Sequence, residues 1–406
     1  MQVDASDIDL GSKVSRRMQS IPPSGIRRFF EIASTMEDVI SLGIGEPDFV
    51  SPQPIVEAVI ESLREGKTGY TANAGLPELR ALIARDYEER YNVTYDPSNE
   101  IIITVGVSEA MLLAMLATLD PGDEILIPEP CFVSYGPTAR MAGAEVVYVP
   151  TYAENNFVVT ASDIEARITP RSKVLFIGYP SNPTGAVLHR DRLNEIARVV
   201  VEHDLIVISD EIYDRLIYDT ALEGGHTCVP AHEALRERTI LIGGFSKTFA
   251  MTGWRIGYAC APAELAQAMY RAHQYIVMSA PTMAQIGAAT AIREAQDDVE
   301  RMRRSYDERR RLLVDGLRAA GLETVEPEGA FYCFPDVRST GLTSEGFAER
   351  LLREEHVACV PGNAFGPSGE GYVRCSYTAG KEDLLRAIER IIRFSRKYQA
   401  LNGQTR

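Results

Sequence analysis

The sequence predicts an α/β protein: a large domain with a mostly parallel seven-stranded sheet sandwiched by helices, followed by a smaller α+β domain. Three observations carry this. Seven short β-branched runs recur between residues 101 and 260, and most are separated by stretches of helical length and period. The runs are almost continuously apolar, as strands covered on both faces of a parallel sheet must be. Beyond about residue 290 the alternation stops and a long charged helix leads into a different pattern.

In chain order the strands are expected at IIIT (101), EILIP (124), EVVYV (145), KVLFI (173), LIVIS (205), TILIG (239) and IGYAC (256), with helices such as SEAMLLAMLATL and HRDRLNEIARVVVEH between them. The stretch AIREAQDDVERMRRSYDERRRLLVDGLRAAG reads as one long amphipathic helix able to bridge two domains, and its arginines at 301–311 read as a solvated face because acidic residues are interspersed. GAFYCFPDV, VACVPGNAFG and EGYVRCSYT then supply strands of the smaller domain. A chain of 406 residues exceeds the size at which one core usually stops growing, which also favours two domains.

Composition narrows the partners. With 57 acidic against 42 basic side chains, the net charge of −15 opposes a nucleic acid or an anionic membrane surface and favours a small-molecule ligand. The six cysteines are scattered without a C-x-x-C pair, and the polar N-terminus MQVDASDIDLGSK is unlike a signal peptide, so a reduced, cytoplasmic setting is expected. The apolar region at 101–119 carries Ser108, Glu109 and threonines, which suits a strand and helix and not a membrane span. His189, His203, His226, His232, His273 and His356 show no metal-ligand spacing, so no metal is expected.

Four strand ends carry polar groups of complementary kinds: IIIT runs into VGVSEA, KVLFIG into YPSNPTGAV, LIVI into SDEIYDRL and LIGG into FSKTFAMTGWR. In such sheets ligands bind beyond the carboxyl ends of the strands. An electron-sink cofactor with a pyridine ring, a phenolic oxygen, an aldehyde and a phosphate needs these chemistries. Lys247 can form an imine, and Asp210 can keep the ring nitrogen protonated. Asn182 and Tyr213 can bond the ring oxygen. Val107 and Ser108 at a helix start, with Ser246 and Arg255, suit a phosphate. Each residue also has a plainer reading. Asp210 suits a helix N-cap, Lys247 a solvated loop, and Asn182-Pro-Thr-Gly a steric turn. Phe132 and Trp254 suit core packing. The four loops taken together favour one shared site.

The strings LGIGEPDF, SNPTGAV, SDEIY, SKTFAMTGWRIGY and GYVRCSY resemble the fold-type-I, class I pyridoxal-phosphate aminotransferases over roughly residues 15–395. IRRFFEIASTMEDVISLGIGEPDF and EHDLIVISDEIY are similar to the archaeal-type aromatic and aspartate enzymes within that family. The resemblance implies pyridoxal 5′-phosphate as cofactor. It implies that Lys247 joins the cofactor aldehyde and shuttles a proton, that Asp210 pairs with the ring nitrogen, and that Tyr213 and Asn182 hold the ring oxygen. Arg255 and Ser246 are then phosphate ligands, and Phe132 stacks on the ring where many relatives have tryptophan; Trp254 is left to packing. Arg374 and Gly45 match the substrate-carboxylate site. Tyr70, in KTGYTANAG, matches a tyrosine that reaches the neighbouring subunit's phosphate, which implies a homodimer with shared sites. Residues 1–46 would form an N-terminal arm and part of the small domain, 47–290 the large cofactor-binding domain and 291–406 the C-terminal small domain. The implied reaction is ping-pong transfer of an amino group between an aromatic or broad-range amino acid and 2-oxoglutarate. Aspartate or alanine transamination, C–S lysis on the same lysine, and a non-enzymatic binding module are the alternatives.

Overall fold

The computed structural model describes residues 9–21 and 36–404, so the whole IRRFFEIAS stretch lies outside the described residues. All seven expected runs form strands of one sheet: β2 (Ile101–Thr104), β3 (Glu124–Glu129), β4 (Glu145–Pro150), β5 (Ser172–Gly178), β6 (Ile206–Asp210), β7 (Thr239–Gly244) and β8 (Gly257–Cys260), after a short β1 (Ile40–Ser41). Their order is β2-β8-β7-β6-β5-β3-β4. Five strands, β7 through β4, run parallel, and β8 is antiparallel to both β7 and β2.

The period of two in these strands builds two cores. Ile125, Ile127, Phe176, Ile208 and Ile240 face one side and meet the apolar helix Gly106–Thr118. Leu126, Leu175, Ile177 and Val207 face the other, where helix Arg190–Glu202 lays its apolar stripe. Burying each such apolar side chain contributes about 1.5–3 kcal/mol.

A second set of strands follows: β9 (Tyr332–Cys333), β10 (Val357–Ala358), β11 (Val360–Pro361) and β12 (Val373–Ser376). β11-β12-β9 form an antiparallel sheet, and β10 pairs in parallel with β1, which ties the segment around residue 40 to the C-terminal elements. β1, β9, β10 and β12 share one core with helices Gln296–Ala319, Ser344–Glu355 and Lys381–Gln404, while Val360 of β11 packs with Leu126 and Leu175 of the large sheet. All six cysteines are buried and free, and no helix among the described residues is long and apolar enough to cross a membrane.

Two expectations need correction. The long helix is two helices, Thr282–Glu294 and Gln296–Ala319, broken at Ala295, whose ψ of 21° departs from helical geometry. The arginine run is also not all solvated. Arg310 is 1% exposed and bonds Asp219, Asp307, Glu326 and the Pro327 carbonyl. The interspersed acids on the helix, with Asp219 and Glu326 from outside it, serve as partners that make burial of this cation tolerable. Arg301, Arg304 and Arg311 do face solvent.

Candidate active site

β5, β6 and β7 are parallel and in register, with Gly178 opposite Asp210 and Asp210 opposite Ile242. Their carboxyl ends therefore release the loops bearing Asn182, Tyr213 and Lys247 side by side. One cavity of about 330 Å³ is lined by Gly45, Val107, Ser108, Phe132, Asn182, Asp210, Tyr213, Ser246, Lys247, Arg255 and Arg374. Every candidate residue except Tyr70 is in that lining. Tyr70 is 85% exposed on the outer surface.

Lys247 donates to the Gly45 carbonyl at 2.6 Å and forms no ion pair with Asp210. Burial lowers its pKa to about 8; Glu46 opposes this, while the positive charges of Arg374 and then Arg255 add to it. Asp210 moves the other way, to about 6, because burial outweighs a 2.9 Å bond from the Tyr135 hydroxyl and a 3.2 Å bond from the Ile212 amide. An amine and a carboxylate thus share one cavity, each pushed toward its neutral form.

The clamp at the other wall is Arg374, 4% exposed on β12. Its guanidinium lies between the rings of Tyr332 and Phe365, at 4.5 and 4.9 Å from their centroids. It donates to Asn182 Oδ1 at 2.9 Å and to the Gly43 carbonyl at 2.6 Å, while its Nε is buried without a partner. No carboxylate among the described residues pairs with it. A buried cation without a counter-ion is costly, which marks the place of an anionic ligand.

The anion cradle has a steric cause. Gly106, at φ +70°, opens helix Gly106–Thr118, and a Cβ there would come within 2.8 Å of Arg255 Nη2. A Cβ on Gly257 would meet the Gly106 carbonyl carbon at 2.7 Å and the Val107 nitrogen at 2.8 Å. Glycine at both positions lets the helix start, with its free N–H groups, lie against β8 beside Arg255 and Ser246.

The sequence argument missed Tyr135 and Tyr332, both lining the cavity. Tyr135 holds Asp210, and Tyr332 meets the Tyr213 hydroxyl at 3.0 Å. Trp254 packs in the core, donating to Ser51 Oγ at 2.9 Å.

A doubly covered sheet that gathers a lysine, a buried acid, an anion cradle and an uncompensated arginine at its strand ends is the architecture of an enzyme acting on an amine or carbonyl. Comparison with known proteins is more particular: residues 37–391 match the family model for class I and II aminotransferases, and the chain belongs to that family. It is 50% identical to a putative aminotransferase of Bacillus subtilis, over 95% of this chain and 99% of the relative. It is 47% identical to an aspartate aminotransferase of Pyrococcus abyssi, over 93% and 97%. The crystal structure of an aromatic aminotransferase from Pyrococcus horikoshii superposes with a TM-score of 0.87 at 46% identity, covering 92% of this chain and all of that one.

Proposed function

We propose that this aminotransferase uses pyridoxal 5′-phosphate, held in the 330 Å³ cavity, to move an amino group from an aromatic or broad-range L-amino acid to 2-oxoglutarate. The observation that carries the reading is the pair Lys247 and Asp210, buried in one cavity without neutralising each other. The residues fit the group. The helix start at Val107 and Ser108, with Ser246 and Arg255, suits its phosphate; Asn182 Nδ2 and the Tyr213 hydroxyl suit its ring oxygen; the Phe132 ring suits its face.

When bound, the cofactor supplies an aldehyde that carries the amino group and a cationic ring that accepts the electron pair of the broken Cα–H bond. The chain does the rest. Arg374 binds the substrate carboxylate and, braced by Asn182 and Gly43, fixes which Cα bond is presented for cleavage. Lys247 Nζ, neutral above about pH 8, takes and returns the α-proton. The Asp210 carboxylate holds a proton at the ring nitrogen, and Tyr135 holds Asp210. Phe132 limits water at the ring face.

The substrate range rests on resemblance and on the uncharged Ser108 beside the cavity. Single-turnover rates with tyrosine, aspartate and alanine test it: tyrosine is expected to react fastest, and a preference for aspartate by more than tenfold overturns the aromatic reading. Ammonia release without consumption of an oxoacid would indicate elimination chemistry instead.

Titration gives a second expectation. The rate at which cofactor-free protein takes up pyridoxal phosphate onto Lys247 should rise about tenfold per pH unit from pH 6 and level off near pH 8. Below about pH 6 it should fall more steeply as Asp210 gains a proton. A rate still climbing tenfold per unit at pH 10 would mean an ordinary lysine.

A homodimer, a large domain over 47–290 with a small one formed by 1–46 and 291–406, and a cytoplasmic setting complete the reading. Tyr70 and Tyr275, 85% and 86% exposed, and the half-exposed Ile276 and Met278 form a face a second copy would cover. The Thr282 hydroxyl, bonded to the Gly69 carbonyl, holds its two segments together. Pairing of β1 with β10 supports the domain division, and six free buried thiols support a reducing compartment.

A further inference from the structure

Tyr332 touches more of the site than a packing residue needs to. It is 1% exposed on β9, and the only hydrogen-bond partner of its hydroxyl among the described residues is the Tyr213 hydroxyl, at 3.0 Å. The two rings meet edge to face, with centroids 6.0 Å apart and planes at 83°. The Arg374 guanidinium sits over the Tyr332 ring, 4.5 Å from its centroid. On the far side the hydroxyl abuts Gly45, where a Cβ would come within 2.3 Å of it. Packing alone would be served by phenylalanine; a buried hydroxyl is kept for its bond.

The direction of that bond decides what Tyr213 can do. Each hydroxyl has one hydrogen. If Tyr213 donated to Tyr332, it would have none left for a ligand. Either hydroxyl could donate by geometry, but a guanidinium over the ring draws electron density from the phenol and makes Tyr332 the better donor, which favours its proton on Tyr213 Oη. The proton of Tyr213 is then free to point into the cavity.

We propose that Tyr332 is a positioning residue: its hydroxyl sets the donor direction of Tyr213, and its ring links that direction to the substrate-carboxylate clamp Arg374. The inference rests on the function proposed above and adds, beside the direct Arg374–Asn182 bond, a second route from the clamp on β12 to the loop after β6 that carries Tyr213. Occupation of Arg374 by a carboxylate weakens the pull on the Tyr332 ring, and the change is passed to Tyr213 and so to the cofactor's ring oxygen.

The readout is the midpoint pH of the visible absorption change of protein loaded with pyridoxal phosphate. Donation from Tyr213 stabilises negative charge on the ring oxygen. Weaker donation leaves that oxygen freer to hold the proton on the Lys247 nitrogen, so the midpoint moves up. A neutral hydrogen bond is worth about 0.5–1.5 kcal/mol, which corresponds to about 0.4–1.1 pH units. Tyr332→Phe is therefore expected to raise the midpoint by roughly half to one unit, and Tyr213→Phe by at least as much. Adding Tyr332→Phe to Tyr213→Phe should move it by less than about 0.2 unit, because its route runs through Tyr213. Gly45→Ala, which pushes the Tyr332 hydroxyl from the opposite side, should shift the midpoint in the same direction. A Tyr332→Phe protein that titrates like the wild type, or one whose shift persists undiminished without the Tyr213 hydroxyl, overturns the inference alone. A wild-type protein that takes up no cofactor overturns the proposed function and this inference with it.

Discussion

Replacing Lys247 with alanine is expected to lower turnover by at least about 10⁴-fold, the upper end of what a positioned acid–base group provides, because the same side chain also carries the cofactor. No other group can stand in. The chain has five further lysines, Lys13, Lys67, Lys173, Lys381 and Lys397, none of which lines the cavity. The variant should fold normally: it removes a buried cation whose only hydrogen bond among the described residues is to a backbone carbonyl, so no partner charge is left stranded. Visible absorption of the loaded protein should disappear as well. Turnover within tenfold of wild type would remove Lys247 from the chemistry.

Asp210→Asn is expected to lower turnover by about 10²–10⁴-fold without a loss of stability in the cofactor-free protein. Turnover falls because an amide cannot hold the proton at the ring nitrogen. Stability does not fall, as the sign of the pKa shift shows. The folded-state value, about 6, lies above the ordinary 3.8, so the carboxylate is disfavoured by burial. The wild type therefore loses stability as pH rises from about 4 through 6, a loss the amide variant never incurs. The amide oxygen can still accept from the Ile212 N–H, and the amide NH2 can donate to the Tyr135 hydroxyl, which accepts as readily as it donates. Kinetics at pH 7 beside thermal unfolding of both cofactor-free proteins separates these effects. A variant that loses activity only in proportion to lost stability would make Asp210 structural.

These expectations trace back unevenly to the sequence. The seven strands were legible because a sheet covered on both faces must be apolar almost without interruption, and Ile101–Thr104 and Glu124–Glu129 are buried along their whole length. The shared site was legible because parallel strands deliver their loops to one side, so Asn182, Asp210 and Lys247 could be grouped before any distance was known. The break at Ala295 was not, since alanine favours helix and no glycine or proline marks the spot. Arg310 was misread because burial of a cation depends on Asp219 and Glu326, outside its own helix.

The missed tyrosines share a reason. In CFVSYG and GAFYCF a tyrosine among apolar residues reads as core, and Tyr135 and Tyr332 are indeed buried. What sets them apart is where one hydroxyl ends, at Asp210 in one case and at Tyr213 in the other, and pattern carries no such information. Tyr70 is the reverse case: within one chain it is a surface residue, and its expected role stands or falls with the proposed second copy.

Borohydride reduction of the protein loaded with pyridoxal phosphate, followed by mass mapping of its peptides, tests the central claim most directly. The account predicts one stoichiometric modification, on the peptide containing Lys247, and none in Lys247→Ala. Modification spread over Lys13, Lys67, Lys173, Lys381 or Lys397, or none at all, would contradict it.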